Sequence, residues 1–169
     1  MSGPSNRSGA VAMEECMKNW KLIIVALTLA LPLAARANLG AEEPSESNDP
    51  NWIEGKQAIE AKDWKRAVSS LTKAAAAEPL NADIQNWLGF AQRKQGNFDA
   101  AFAAYNQALK LNPSHRSAHE YIGEAYLMTG NLAKAEQHLA ELQKLCSPIP
   151  CEESKDLQRA IDDYKKKKK

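Results

Sequence analysis

The fold of this chain is decided by residues 87–113, which read WLGFAQRKQGNFDAAFAAYNQALKLNP. Apolar residues recur at helical spacing on both sides of a turn at Gly96, where glycine can take a positive φ. The second apolar stretch ends at Pro113, because the residue before a proline is displaced from helical geometry. The segment therefore predicts two helices joined by a tight turn.

This pattern repeats with a period of 34 residues, which is the signature of a stacked helical array. Gly55, Gly89 and Gly123 share the interval, and alanines at positions 67, 101 and 135 keep it as well. The remaining columns are Trp64, Phe98 and Leu132; Leu71, Tyr105 and Leu139; and Pro79 and Pro113. Small residues let two helices approach closely, and each hairpin can bury its apolar face only against the next. The chain is therefore predicted to be all-α.

The middle unit, residues 82–115, carries the most regular copy of this pattern. Its characteristic residues are Trp87, Leu88, Gly89, Gln95, Gly96, Asn97, Phe98, Ala101, Tyr105, Ala108, Leu109 and Pro113. The unit resembles the tetratricopeptide repeat (TPR) family. Residues 48–81 and 116–149 are similar, the first less so because Lys62 and Asp63 replace the Gly-Asn of its turn. The resemblance implies an α-solenoid of three TPR helix–turn–helix repeats.

Downstream of the repeats, residues 150–169 predict a C-terminal capping helix with a lysine tail. Four apolar residues fall on one face of this helix: Leu157, Ala160, Ile161 and Tyr164. This face is expected to cover the end of the third repeat, which no further repeat would otherwise bury.

Cys146 and Cys151 bracket a Pro-Ile-Pro segment between the third repeat and the capping helix. In an oxidising compartment, two cysteines this close favour a structural disulfide that links the helix to the repeat. A redox-active pair is the alternative. The four intervening residues, two of them proline, differ from the C-x-x-C spacing that is typical of that chemistry.

Residues 1–37 have the features of a targeting segment. A basic stretch at 17–21 precedes the uncharged residues 22–35, and an A-x-A pattern ends at Ala37. This order is typical of a secretory signal peptide that is cleaved after Ala37. An uncleaved anchor is the alternative, but the uncharged stretch would span only about 21 Å of a ~30 Å bilayer core. We therefore expect a periplasmic or secreted protein without stable membrane insertion after cleavage.

Residues 1–16 are polar and precede the basic stretch, so we expect translation to begin at Met13 or Met17 rather than at Met1. Cleavage would leave Asn38 as the first residue of the mature chain. Residues 38–47 are acidic and contain proline and serine, and we expect them to form a disordered leader.

Charge and motifs argue against several other classes of protein. The formal net charge is +1, whereas a nucleic-acid-binding protein would carry a strong basic excess. The sequence contains no glycine-rich phosphate loop and no G-x-S-x-G or H-E-x-x-H motif. His115 and His119 are expected on a solvated helix surface, with Ser114 as the N-cap. We therefore predict a protein that is not an enzyme, needs no metal or cofactor and does not bind nucleic acid.

In the TPR family, the first helix of each repeat lines a concave groove that holds a peptide or a helix of a partner. The resemblance implies that the groove is lined by Trp52, Lys56, Asn86, Phe90, Arg93, Lys94, Glu120, Glu124 and Leu127. Trp52 and Phe90 are expected to be exposed aromatic anchors. The alternative is that Trp52 covers the end of the array.

One subtype of the family grips acidic C-termini of chaperones with Lys, Asn and Arg side chains. The corresponding positions here hold Trp52, Lys56, Trp87, Ser117 and Tyr121. Only Lys56 is basic, so the resemblance does not extend to that subtype.

Together these features predict a non-catalytic scaffold or adaptor of the bacterial envelope that binds a protein or peptide partner in its groove. Two alternatives remain. The protein could serve an envelope thiol-handling or assembly system through Cys146 and Cys151, or it could be a structural protein that self-associates through its first repeat.

Overall fold

The computed structural model describes residues 47–168. This range forms α1 Pro50–Glu60, α2 Trp64–Ala77, α3 Ala82–Lys94, α4 Phe98–Leu111, α5 Arg116–Met128, α6 Leu132–Leu145 and α7 Glu152–Lys167, with no strand. The all-α solenoid prediction is confirmed. The predicted signal peptide, and the predicted leader except Ser47, lie outside the described residues. Between residues 47 and 168, no helix is both long and apolar enough to cross a bilayer.

Polar side chains determine where several of the helices begin. Asp49, Asp63, Asn81 and Asn131 cap α1, α2, α3 and α6 by accepting hydrogen bonds from first-turn backbone N–H groups. These N–H groups have no partner inside the helix, so each cap satisfies donors that would otherwise be unpaired. Short loops therefore suffice to reverse the chain between successive helices.

The N-cap of α5 differs from the sequence prediction. His115, not Ser114, occupies the position, and its ring Nδ1 accepts a hydrogen bond of 3.2 Å from the backbone N–H of Ala118. Its Nε2 lies 3.0 Å from Oδ1 of Asp83 on α3. The cap therefore also joins the second repeat to the third.

The turns inside the three repeats use the same left-handed backbone with different residues. Gly96 and Gly130 have φ values of 84° and 83°, whereas Lys62 takes the position in the first repeat with φ 56°. A side chain is disfavoured there by about 1 kcal/mol. The weaker resemblance of the first repeat at this turn therefore does not change its fold.

The predicted capping helix and disulfide are both present. Leu157 and Ile161 of α7 pack with Leu139 and Leu142 of α6 and with Leu127 of α5. The Cys146–Cys151 disulfide joins the C-cap residue of α6 to the N-cap residue of α7, with a Cα–Cα distance of 5.4 Å. Helix α7 is thus held to the third repeat by its apolar face and by a covalent bond.

Candidate functional site

An aromatic cluster lies where α3 meets α5. Phe90 is 5.5 Å from Trp87 and 5.2 Å from Tyr121, measured between ring centroids, and Trp64 of α2 lies 6.1 Å from Phe90. The contacts are tilted or edge-on, which is the arrangement that aromatic quadrupoles favour. All four rings are partly exposed. They therefore form an apolar surface that is accessible to a ligand.

Arg93 is the one cation of this surface that is buried, with 4% of its surface exposed. Its guanidinium lies 5.3 Å from the ring centroid of Phe90 and 5.6 Å from that of Tyr121. Its NH1 also donates a hydrogen bond to Oε2 of Glu124 on α5. The Glu124 side chain is 30% exposed, so removal of Glu124 would leave the buried guanidinium of Arg93 uncompensated, whereas removal of Arg93 would leave a carboxylate that water reaches. The Arg93–Glu124 pair therefore fixes α3 against α5.

Glu120 lies one helical turn before Glu124 on α5 and is partly buried. Burial, together with the nearby carboxylates of Glu124 and Glu153, raises the pKa of Glu120 from 4.5 to about 7. Arg93 opposes the shift but is already paired with Glu124. Among residues 47–168, Glu120 has neither an ion pair nor a hydrogen bond. Its carboxylate is therefore a partly exposed acceptor on this surface that no cation of the described residues neutralises.

Asn86 is an unsatisfied acceptor on the same surface. It is 2% exposed, and its Oδ1 has no hydrogen-bond partner within the described residues. Asn86, Phe90 and Arg93 are spaced i, i+4 and i+7, so they share one face of α3. We call the combined surface the α3–α5 face; it comprises Asn86, Trp87, Phe90, Arg93, Glu120, Tyr121 and Glu124.

The structure brings most of the predicted groove residues together, but two of them belong to the core. Trp52 was expected to be exposed, and that expectation is wrong, because it is 5% exposed and packs with Ala58, Leu71 and Ile84. Leu127 is also buried, in the cluster formed with α7.

The two lysines among these predicted residues both stack on aromatic rings. The ammonium of Lys56 lies 5.3 Å from the ring centroid of Trp52, and that of Lys94 lies 5.1 Å from the ring centroid of Phe90. Each of these cation–π contacts therefore holds a lysine on an aromatic ring of its own repeat.

Trp87 and Tyr121 were not among the predicted groove residues, although both belong to the aromatic cluster. They are 34 residues apart, so they occupy the same position in successive repeats. That shared aromatic column is the signal that would have identified them.

The histidine prediction is corrected by the structure, because His119 is 7% exposed rather than solvated. Its Nε2 lies 3.0 Å from the carbonyl oxygen of Pro113 and its Nδ1 lies 3.0 Å from Nδ1 of His138. A carbonyl can only accept, so Nε2 of His119 donates and its Nδ1 accepts from His138. Burial, reinforced by His119, lowers the pKa of His138 from 6.5 to about 4. The pair is a structural link between α5, α6 and the preceding turn.

The paired helices and their shared aromatic and charged face define a helical-repeat protein. The family profile described as "Tetratricopeptide repeat" matches residues 54–108 and 89–148, together more than half of the chain. The protein belongs to the TPR family.

Solved structures share this fold at low sequence identity. The TPR2B domain of yeast Sti1, in a complex with an Hsp70 peptide, has a TM-score of 0.64 at 19% identity, covering 69% of this chain and 94% of that one. The Yersinia enterocolitica secretion chaperone SycD, with a peptide of the translocator YopD, has a TM-score of 0.62 at 19% identity, covering 70% and 92%. The second TPR domain of human RPAP3, with the HSP70 peptide SGPTIEEVD, has a TM-score of 0.60 at 22% identity, covering 66% and 92%.

Proposed function

We propose that this protein is a non-catalytic adaptor of the bacterial envelope that holds a peptide or helix of a partner protein on its α3–α5 face. The observation that carries the proposal is the combination, on one surface, of partly exposed aromatic rings, the buried and unsatisfied Oδ1 of Asn86, and the partly exposed carboxylate of Glu120, which has no ion pair within the described residues. Aromatic side chains are typical anchors at protein interfaces. A buried polar group without a hydrogen-bond partner is rare in a native protein, and a bound group that donates to it is one way in which it is satisfied.

The similar solved structures support a peptide as the ligand. Sti1, SycD and RPAP3 are each described in a complex with a peptide of another protein. The present chain differs from those TPR proteins that grip acidic C-termini, because Trp52 is buried and Trp87, Ser117 and Tyr121 carry no positive charge. We therefore propose that the chain binds a peptide segment, but not by gripping an acidic C-terminus of that peptide.

The envelope location rests on the signal-peptide pattern of residues 17–37 and on the disulfide. Disulfides form and persist in oxidising compartments. Cys146 is buried and Cys151 is partly exposed. The role in thiol handling through this pair stays an alternative.

The proposal is tested by co-purification from envelope extract with the full chain as bait. Phe90→Ala removes the centre of the aromatic cluster. Phe102→Ala is the matched control, because Phe102 is also partly buried but stacks on Tyr126 from α4, at 4.5 Å. Circular dichroism and thermal unfolding establish that both variants are folded.

We expect proteins retained by the wild-type chain and by Phe102→Ala to be lost with Phe90→Ala. Retention of the same proteins by all three chains would contradict the assignment of the α3–α5 face.

A further inference from the structure

The end of the α3–α5 face nearest to α7 carries more negative charge than its surroundings neutralise. Glu120 and Glu124 lie one turn apart on α5, and both Glu124 and Glu153 of α7 raise the pKa of Glu120. Glu124 is matched by Arg93, and Glu153 lies 3.6 Å from Arg116. Glu120 has no such partner within the described residues. We call Glu120, Glu124 and Glu153 the acidic end.

Asn86 is an independent indication of the ligand that this surface accepts. It lies 34 residues before Glu120, so the two residues occupy the same position in successive repeats. Its buried Oδ1 lacks a hydrogen-bond donor, just as the carboxylate of Glu120 lacks a cation. A ligand group that satisfies either of them must donate, as backbone N–H, ammonium and guanidinium groups do. The buried Nε of Arg93 on the same face is a donor without a partner within the described residues, and a backbone carbonyl of the same segment would supply its acceptor.

Arg93 shows which groups of this surface bind a cation. Its guanidinium lies against Phe90 and Tyr121 and binds Glu124, so rings and a carboxylate act together. Glu120 flanks Tyr121 and offers the same combination without a cation of its own. The apolar stem of a lysine or arginine can also lie along the aromatic rings while its charged end reaches the carboxylate.

We propose that the partner segment carries a basic side chain, lysine or arginine, which binds Glu120 at the acidic end while its backbone donates to Asn86. This inference rests on the proposed function and names the chemistry of its ligand. The occupant is a segment of a partner protein. The lysine tail of a second copy of this chain is the competing source of the same charge.

The test is a selection of peptides from a random 12-residue phage-displayed library on the immobilised full chain. Three baits are compared: the wild-type chain, Glu120→Gln and the control Glu54→Gln. Glu54 is exposed on α1, and the substitution removes one negative charge outside the α3–α5 face. We expect the wild-type and Glu54→Gln baits to enrich peptides with lysine or arginine at one recurring position.

The peptide that is most enriched is then synthesised, together with a version in which that basic residue is replaced by glutamine. We expect Glu120→Gln to weaken binding of the basic peptide by about tenfold and to leave the binding of its glutamine version unchanged. We also expect the wild-type affinity to fall from pH 8 to pH 6, because protonation of Glu120 removes the charge that binds the cation. The variant should lose this dependence.

The charged and titratable groups that act on Glu120 are Glu124 and Tyr121 of α5, Arg93 of α3, and Glu152 and Glu153 of α7. Equal affinity of the wild-type chain and Glu120→Gln for the basic peptide would overturn the inference. Enriched peptides that are acidic, or that share no basic position, would also overturn the inference of a basic ligand. The proposed function of peptide binding would then still be supported. A library that yields no binder would instead contradict the proposed function itself.

Sedimentation of the full chain separates the two sources of the basic group. A concentration-independent monomer supports a partner segment. A dimer that dissociates with Glu120→Gln but not with Glu54→Gln would assign the site to the lysine tail of a second copy. That result would overturn the proposal that a partner protein supplies the basic group.

Discussion

The second and third repeats differ in which helix supplies the side chain that packs on their glycine. A β-carbon added to Gly89 would lie 2.6 Å from Cδ1 of Tyr105, which belongs to the second helix of the same repeat. At Gly123 the side chain within 2.6 Å is Leu157 of α7, outside the three repeats. Gly55 follows the first arrangement, with Leu71 of its own repeat. The third repeat is therefore completed by α7, which acts as part of its core.

Truncation of Leu157 tests this difference with the largest expected effect. Leu157→Ala removes a fully buried side chain, and we expect the free energy of unfolding to fall by about 3 kcal/mol, as for other buried leucines. Leu71→Ala at the equivalent contact of the first repeat should have a similar effect. Urea unfolding of both variants measures the comparison.

Leu80→Ala is the control for this experiment, because Leu80 is 81% exposed and its truncation should change stability by less than about 0.5 kcal/mol. A loss for Leu157→Ala as small as that of the control would mean that α7 only covers the third repeat.

Removal of the disulfide has the next largest expected effect, because the disulfide holds the start of α7 to the end of α6 in the third repeat. The double substitution Cys146→Ser, Cys151→Ser should lower the free energy of unfolding by about 2 kcal/mol through the extra freedom of the unfolded chain. Urea unfolding of oxidised and reduced wild-type protein provides a second measurement of the same quantity. Two free thiols in the denatured, unreduced mature chain, residues 38–169, would contradict the bond.

The acidic end predicts that Glu120→Gln is more stable than the wild-type chain at pH 8. The pKa of Glu120 in the folded protein, about 7, lies above its ordinary value of 4.5, so the folded protein favours the protonated carboxyl. Wild-type stability should therefore fall as the pH rises from 4.5 through 7. Glu120→Gln removes this loss and should raise the free energy of unfolding by about 1 kcal/mol at pH 8, after solvent screening is allowed for.

Urea unfolding of the wild-type chain, Glu120→Gln and Glu54→Gln at pH 8 and pH 5 measures this effect. The advantage of Glu120→Gln should shrink toward pH 5, and Glu54→Gln should follow the wild type. A variant that is less stable than the wild type at pH 8 would show that the charge of Glu120 is already compensated.

The smallest expected effect concerns the turn of the first repeat. Lys62 holds a left-handed conformation that glycine holds in the other two repeats. Lys62→Gly should stabilise the protein by about 0.5–1 kcal/mol, because glycine takes this conformation without a steric penalty. Thermal unfolding provides the measurement, with Gly96→Lys expected to shift the midpoint in the opposite direction. A shift of the same sign in both variants would show that the turns are not equivalent.

The sequence predicted the helices and the repeat register because both depend on local features. Glycine and alanine columns at a constant interval specify where helices approach, and Pro113 and the capping residues mark where helices end. Cys146 and Cys151 are only five residues apart, so their pairing required no knowledge of distant contacts. The same reasoning grouped Phe90, Arg93 and Glu124 on one surface, because equivalent positions in successive repeats lie side by side.

The tertiary structure alone decided which of these side chains are exposed, charged or paired. Trp52 and His119 became buried because neighbouring helices cover them, and helical spacing does not reveal which helices those are. Arg93 of α3 pairs with Glu124 of α5, and no cation between residues 47 and 168 pairs with Glu120. Exposure and charge compensation depend on what packs against a helix face, whereas periodicity specifies only that the face exists.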